Sequence, residues 1–430
     1  MAGPNSPLRW FASLLWHSFW GLPVLMIAAA IGIAFTLLLL DAGGASAWIG
    51  SFGYPFALSG GTARELANTF AAVHATFVSL YFSITLLVLT LAAGNLGVRL
   101  IDRWIGHGRV RFTIGLLLGS LAWALIALAA VNAGDGEDGY ARLTLFTLLA
   151  VTLFVISWLA FALHDLGRII HVDTDITALR MDAVTDATPL RRLAATAPTI
   201  DWTAGRGLAA PRDGYVETID RQALADRMGE AGGHLKLVVS VGDYVMRGEP
   251  LAVLAGDPLD DGQATALTRA FGIGRFRSGA QGAPFHVNLL VEIAGRALSP
   301  AVNDFYTAFA CIDGLGPILV AQGQLPQHPQ WVADTTGTAR VLAVDEPFIR
   351  LFRTPLDALR NAAAPNPQVA IRLIVMLRRA TGMIGDDGIR RFLADQARAL
   401  ADQAMAKADA DHDRAAIAVA RDGTAILHDA

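Results

Sequence analysis

Two short clusters of polar residues hold most of the chemistry available to this chain. His164, Asp165, Arg168, His171, Asp173 and Asp175 fall within 12 residues. On a continuous helix the i, i+4 and i, i+7 spacings place His164, Arg168 and His171 on one broad face, with Asp165 offset by about 100°. Imidazoles and carboxylates in that array are equipped to hold an ion or to pair between copies of the chain. They equally suit a helix emerging from a membrane and making local salt bridges. A metal site needs converging ligands, which one segment cannot demonstrate.

The second cluster lies in Arg296-Ala297-Leu298-Ser299-Pro300-Ala301-Val302-Asn303-Asp304, followed by Thr307. Ser299-Pro300 reads as an N-cap and first position opening a helix. Asp304 then occupies the first turn, where the helix dipole favours a carboxylate. Asn303 and Thr307 share a face at i, i+4, and Val302, Phe309 and Ile312 are expected to be buried. The Asn-Asp pair suits cation ligation or subunit register, and it suits simple capping of the preceding turn just as well. Whether either cluster binds a metal is open at this level.

No constellation for catalysis or cofactor binding stands out. The motif contains no histidine, and the chain has no G-x-S-x-G elbow, Walker sequence, H-E-x-x-H or G-x-G-x-x-G. Gly272-Ile273-Gly274 lacks the third glycine and the strand-turn-helix setting of a dinucleotide site. Cys311, the single cysteine, sits among apolar neighbours as a small hydrophobe and excludes an internal disulfide framework. No cofactor and no catalytic residue is expected, so an enzyme is the weakest reading. The formal net charge of −4 gives no footprint for nucleic acid.

The elements that would position these groups divide the chain sharply. Four apolar stretches, Trp16 to Leu40, Thr69 to Ala93, Phe112 to Val131 and Leu143 to Leu163, crowd its first part. Each is about 20 residues or more, enough to cross a ~30 Å hydrocarbon layer as a helix. The run ending at Leu40 is long for a signal-peptide core and Arg9 is its only upstream charge. Retention is therefore expected despite the small-x-small pattern Ala45-Ser46-Ala47. The spans lack mid-membrane carboxylates and arginines, which disfavours a proton relay. Their sparse polar groups include Ser79, Ser83 and Thr152, candidate lining groups for a hydrated path. His74 has a pore, another helix or the headgroups open to it, and the headgroups are the expectation. Gly115 and Gly119 form a small-xxx-small pair suited to helix packing.

Loop charge orients the spans. Arg99, Arg103, Arg109 and Arg111 lie between the second and third, and Asp135, Glu137 and Asp138 between the third and fourth. Arg168, Arg180, Arg191 and Arg192 follow the fourth. Positive short loops mark the cytoplasmic side, so both termini and the soluble part are expected in the cytosol. The expected organisation is a transmembrane domain at 1–170, a linker helix at 171–207, a small β-rich module at 208–260 and a mostly helical α+β domain at 261–430.

Short strands are expected at Gly214 to Ile219, Leu235 to Val239, Val241 to Val245 and Leu251 to Ala255, with a helix from Arg221 to Glu230. This succession, with its Gly-Asp turn and Gly248-Glu249-Pro250-Leu251, resembles the barrel-sandwich hammerhead of biotinyl and lipoyl domains. The hairpin that would present a carrier lysine is missing, and Lys236 lies inside a strand pattern. The resemblance therefore implies a structural β-barrel-sandwich-like module and no prosthetic group. Further on, a strand is expected at Arg340 to Val344. Helices are expected at Phe348 to Asn361, around Val369 to Thr381 and from Gly388 to Ala410.

Phe82-Ser83-Ile84 in the second span, the stretch from Arg296 to Asp304 and then Thr307-Ala308 resemble the bacterial family of predicted membrane proteins catalogued as domain of unknown function 2254. Phe305 stands where that family commonly has proline, which leaves the turn after Asp304 less constrained. The resemblance covers nearly the whole chain and implies an inner-membrane protein with no established reaction. Together these readings give an α+β membrane protein with a four-helix transmembrane region, resident in the lipid bilayer. Its expected function is a homo-oligomeric channel or solute pathway with a cytosolic vestibule. The alternative is a membrane-anchored scaffold that binds another membrane protein.

Overall fold

Long runs of Leu, Ala, Ile and Val with few breakers fold as helices that expose large apolar side chains, and the first part of the molecule is built this way. The computed structural model describes residues 20–53, 59–96, 108–133, 141–168, 172–188, 192–194, 196–328, 330–344 and 347–423. The chain divides into two units, residues 1–171 and 172–430.

In the first unit, α1 (Gly21–Leu40) runs into a π-helical turn (Asp41–Ala45) and a short α2 (Ser46–Gly50). The turn depends on Gly44, whose φ of 109° lies in the region glycine enters at no steric cost. Then come α3 (Gly60–Leu96), α4 (Gly108–Ala133) and α5 (Arg142–Arg168). Their outward faces carry Leu39, Leu86 and Phe154, exposed by 74%, 66% and 50%, a surface that needs hydrocarbon rather than water around it. The inward faces are lined by small residues, with Ala34, Ala63, Ala67, Ala124 and Ala127 fully buried. Small side chains let helix backbones approach closely, which drives helix association in lipid. Gly115 and Gly119 of α4 lie against α1: a Cβ on Gly115 would stand 2.7 Å from Met26 Sδ, and one on Gly119 would stand 3.2 Å from Ala30 Cβ.

The second unit opens with α6 (Val172–Thr185), whose Ile176, Leu179 and Ala183 are buried. There follow β1 (Arg206–Ala209), β2 (Gly214–Ile219), α7 (Arg221–Ala231), β3 (His234–Leu237), β4 (Tyr244–Val245), β5 (Pro250–Ala255), α8 (Asp261–Thr268) and β6 (Phe271–Gly274). Next are α9 (Ala283–Ala297), α10 (Phe305–Gly323), β7 (Trp331–Ala333) and β8 (Ala339–Leu342). The described residues end in four helices, α11 (Pro347–Ala363), α12 (Pro367–Met383), α13 (Asp387–Lys407) and α14 (Asp411–Asp422).

The strands form two open sheets, β1-β5-β3-β8-β7 and β4-β2-β6. Val216, Phe271 and Ile273 of the smaller sheet share one core with Leu235, Leu251 and Val341 of the larger, completed by Leu224 and Met228 of α7. Among the described residues no sheet closes into a barrel, which overturns the barrel-sandwich expectation. β3 pairs parallel with β8, about a hundred residues downstream, instead of closing back onto β2. β2 is itself flanked by β4 and β6, so both of its edges are occupied. The hammerhead likeness rested on local turns, and a distant strand took the edge it would have used.

The expected four-span count also needs correction. Among the described residues five helices are long and apolar enough to cross a membrane, the fifth being Phe305–Gly323. This is α10, and in the second unit it packs on α6, α9 and α12. Ile312, Leu315, Ile318 and Leu319 are fully buried there. A helix hydrophobic nearly all round fits a protein core as well as a bilayer.

Candidate functional site

Among the described residues of the first unit, polar groups meet between helices at both ends and midway along them. At one end Asp41, only 8% exposed, accepts hydrogen bonds from Leu143 N at 2.9 Å, Thr144 N at 2.9 Å and Thr144 Oγ1 at 2.7 Å. Its carboxylate caps α5 from another segment, where the positive end of the helix dipole reinforces the bonds. Arg142 Nη1 donates to the Ser46 carbonyl at 3.1 Å beside it. Midway along the helices, His74 is fully buried, with Nε2 3.0 Å from Thr152 Oγ1. The headgroup placement expected for His74 is therefore wrong: the ring is buried between helices, with Phe77 edge-on at 6.0 Å. At the far end, Arg109 Nη1 donates to Asp165 Oδ1 at 2.7 Å, tying the start of α4 to the end of α5.

The candidates read from the sequence are thus dispersed. Asp165 pairs with Arg109, while His164 and Asp173 are exposed. His171 and the side chain of Arg168 lie outside the described residues, so the shared face expected for them is not visible. Thr152 is 5% exposed and lies inside the chain, whereas Ser79 and Ser83 of α3 face outward. Among the described residues no three His, Cys, Asp or Glu side chains gather as a metal cluster would.

In the second unit the helix expected to open at Ser299 opens at Asp304. Ser299 belongs to the turn after α9, with its N–H donating to Arg296 O at 3.0 Å. Asn303 takes a φ of 51°, which ends any helical run through it. Asp304 then caps α10, accepting from Thr307 N at 3.1 Å and Thr307 Oγ1 at 2.6 Å. The Thr307 hydroxyl and the backbone N–H groups hold the Asp304 carboxyl below the usual carboxylate range, against a smaller opposing effect of burial. Asn303 and Val302 are exposed, so Asn303 shares no helix face with Thr307 and Val302 is not in the core. A left-handed residue followed by an Asp-x-x-Thr box is the stronger stop-and-start signal. Cys311 is a fully buried free thiol.

The second unit also contains a cavity of about 600 Å³ that no motif announced. Its walls come from the end of β2, the turn before β4 and the first turns of α7, α9 and α11. Arg221, Arg277 and Arg350 line it, together with Glu217, Asp243 and Gln281. Gly242 and Gly282 form its rim with φ of 98° and 64°, conformations that explain the glycines. Arginines scattered over 130 residues of sequence leave no local pattern to find.

Several long apolar helices, joined to a second unit with two sheets and a packed core of its own, make this an integral membrane protein with a soluble domain. The chain belongs to the predicted membrane protein family DUF2254, whose pattern matches residues 16–379. It is similar to the uncharacterized proteins Mb1321c of Mycobacterium bovis and Rv1290c of Mycobacterium tuberculosis. Each is 27% identical over 335 residues, which cover 74% of this chain and 63% of the relative. The match therefore spans less than two thirds of the length of these relatives. No solved structure shows a significant match.

Proposed function

We propose that the protein is a homo-oligomeric permeation pathway of the bacterial inner membrane, with the soluble unit on the cytosolic side. The observation that supports this is a hydroxyl seam on α3. Thr62, Thr69, Thr76, Ser83 and Thr90 recur every seven residues and are all exposed on the single chain, with Ser79 beside them. A seven-residue period drifts by only about 20° per repeat along a helix, so the seam stays on one side and suits left-handed packing against other helices.

Thr69, Thr76 and Thr90 each donate back to a carbonyl four residues earlier, at 2.8 Å. Ser79 and Ser83, near the middle of the helix, have no hydrogen-bond partner among the described residues. A hydroxyl without a partner in hydrocarbon is costly, and water in a path or another copy of α3 would supply one. Copies arranged around an axis provide both. Thr152, inside the chain, plays no part in this lining.

The test is disulfide trapping in native membranes on a Cys311→Ala background. Ser83→Cys should cross-link copies of the chain on mild oxidation, while Phe161→Cys on α5 should not. Liposomes carrying the protein should then pass ions or small solutes faster than empty ones. Absence of the Ser83→Cys cross-link sinks the oligomeric seam. Cross-linking without flux sinks the pathway and favours a membrane-anchored scaffold.

A further inference from the structure

We propose that the cavity of the second unit binds an organic phosphate, a small molecule that joins a phosphate to a body carrying a hydroxyl or amino donor. The volume of about 600 Å³ falls within the range of small-molecule sites. Three features of the lining argue for an anion with a second polar group.

The first is Arg221, at the opening turn of α7. Its Nε is buried with no hydrogen-bond partner, and among the described residues its guanidinium has neither ion-pair nor hydrogen-bond partner. Burial pulls its pKa below the usual arginine value, a sign of a cation held without a counterion. Arginine remains charged in proteins, so such a group calls for an anion, and its planar fork matches phosphate oxygens.

The second feature is that, among the described residues, the acids lining the cavity are already engaged. Asp243 accepts from Arg350 Nη2 at 3.0 Å and from Ser240 N at 2.8 Å. Glu217 accepts from Ser278 Oγ at 2.6 Å, and Asp186 meets His286 Nδ1 at 3.1 Å. Arg277, by contrast, lies over the Tyr215 ring at 4.9 Å and has no carboxylate partner among the described residues. Two guanidinium groups are therefore left to face a ligand.

The third feature is Gln281, 3% exposed, whose Oε1 is buried without a partner while Nε2 reaches Val216 O at 3.4 Å. A buried acceptor left unsatisfied calls for a donor, and a bare phosphate cannot fill the rest of the space. A molecule with phosphate at one end and a hydroxyl or amine at the other answers both needs.

The experiment is isothermal titration of the full chain in detergent with two probes, inorganic phosphate and adenosine monophosphate. Both should bind saturably, the nucleotide more tightly. Arg221→Ala should weaken both by about tenfold or more, as loss of a charge-assisted contact does. Gln281→Leu should weaken the nucleotide and spare phosphate. Arg277→Ala gives the same test at a less buried position if Arg221→Ala fails to fold, and Arg398→Ala on a remote surface should change nothing. Failure of both probes to bind overturns the proposal. So does an affinity unmoved by either arginine substitution, or binding of phosphate with refusal of the nucleotide.

Discussion

Asp334 shows how much one side chain can organise. It is 4% exposed and accepts from Thr336 Oγ1 at 2.6 Å, Thr338 N at 3.0 Å and Arg340 Nε at 2.9 Å. The Thr336 hydroxyl, followed by Arg340 and two backbone N–H groups, holds its carboxyl well below the ordinary carboxylate value, outweighing desolvation. A depressed carboxyl contributes stability above the unfolded value of 3.8, and that contribution is lost as pH falls through the folded value. Asp334→Asn should therefore destabilise the protein by about 2 kcal/mol at neutral pH. The gap between the two proteins' thermal unfolding curves should narrow below about pH 4. A gap independent of pH would mean that the charge is not what matters. Residue types such as these are legible in sequence, but their partners are not. Nothing local marks Asp41, and only the approach of the Leu143-Thr144 backbone makes it a helix cap. The cap of Asp304 is built from Thr307, only three residues away, yet the Ser299-Pro300 pair drew the expected helix start to the wrong place.

At the scale of elements, helices declared themselves better than sheets. The apolar runs foretold α1, α3, α4 and α5 to within a few turns, because a transmembrane helix satisfies its own backbone and needs no partner to be recognised. The Gly115–Gly119 pair was legible as a packing device, and the structure supplies its partner, α1. Gly115→Leu would drive atoms into Pro23 Cα, 3.0 Å from the position of a Cβ, and into Met26. It should cost about 1–3 kcal/mol, the usual range for overpacking, as a lowered thermal midpoint in detergent. Gly32→Leu on α1, where nothing lies within 4 Å of the added carbon, should have little effect. Equal loss in both variants would remove the close contact as the reason for the glycine. Strands were harder. The segments from Gly214 to Ala255 were found by their alternation and turns, but the parallel pairing of β3 with β8 belongs to no local pattern.

At the scale of the whole molecule, the arginine-rich loops carry one further expectation, that the soluble unit is cytosolic. On a Cys311→Ala background, Arg398→Cys on the exposed face of α13 should escape a membrane-impermeant maleimide in intact spheroplasts and react after lysis. Reaction before lysis would reverse the orientation. By itself the sequence determined that this is a membrane protein with a soluble part, because chain length and apolar runs set what a bilayer will accept. It did not determine where α10 starts, because Ser299-Pro300 offers a local cap that competes with Asp304. Only the tertiary structure decided that two open sheets replace a barrel and that Phe305–Gly323 packs within the second unit. It alone gathered Arg221, Arg277 and Gln281 around one cavity. The reason is physical: hydropathy and capping act over a few turns of chain. Strand edges, buried cations and unsatisfied acceptors depend on atoms that approach from distant parts of it.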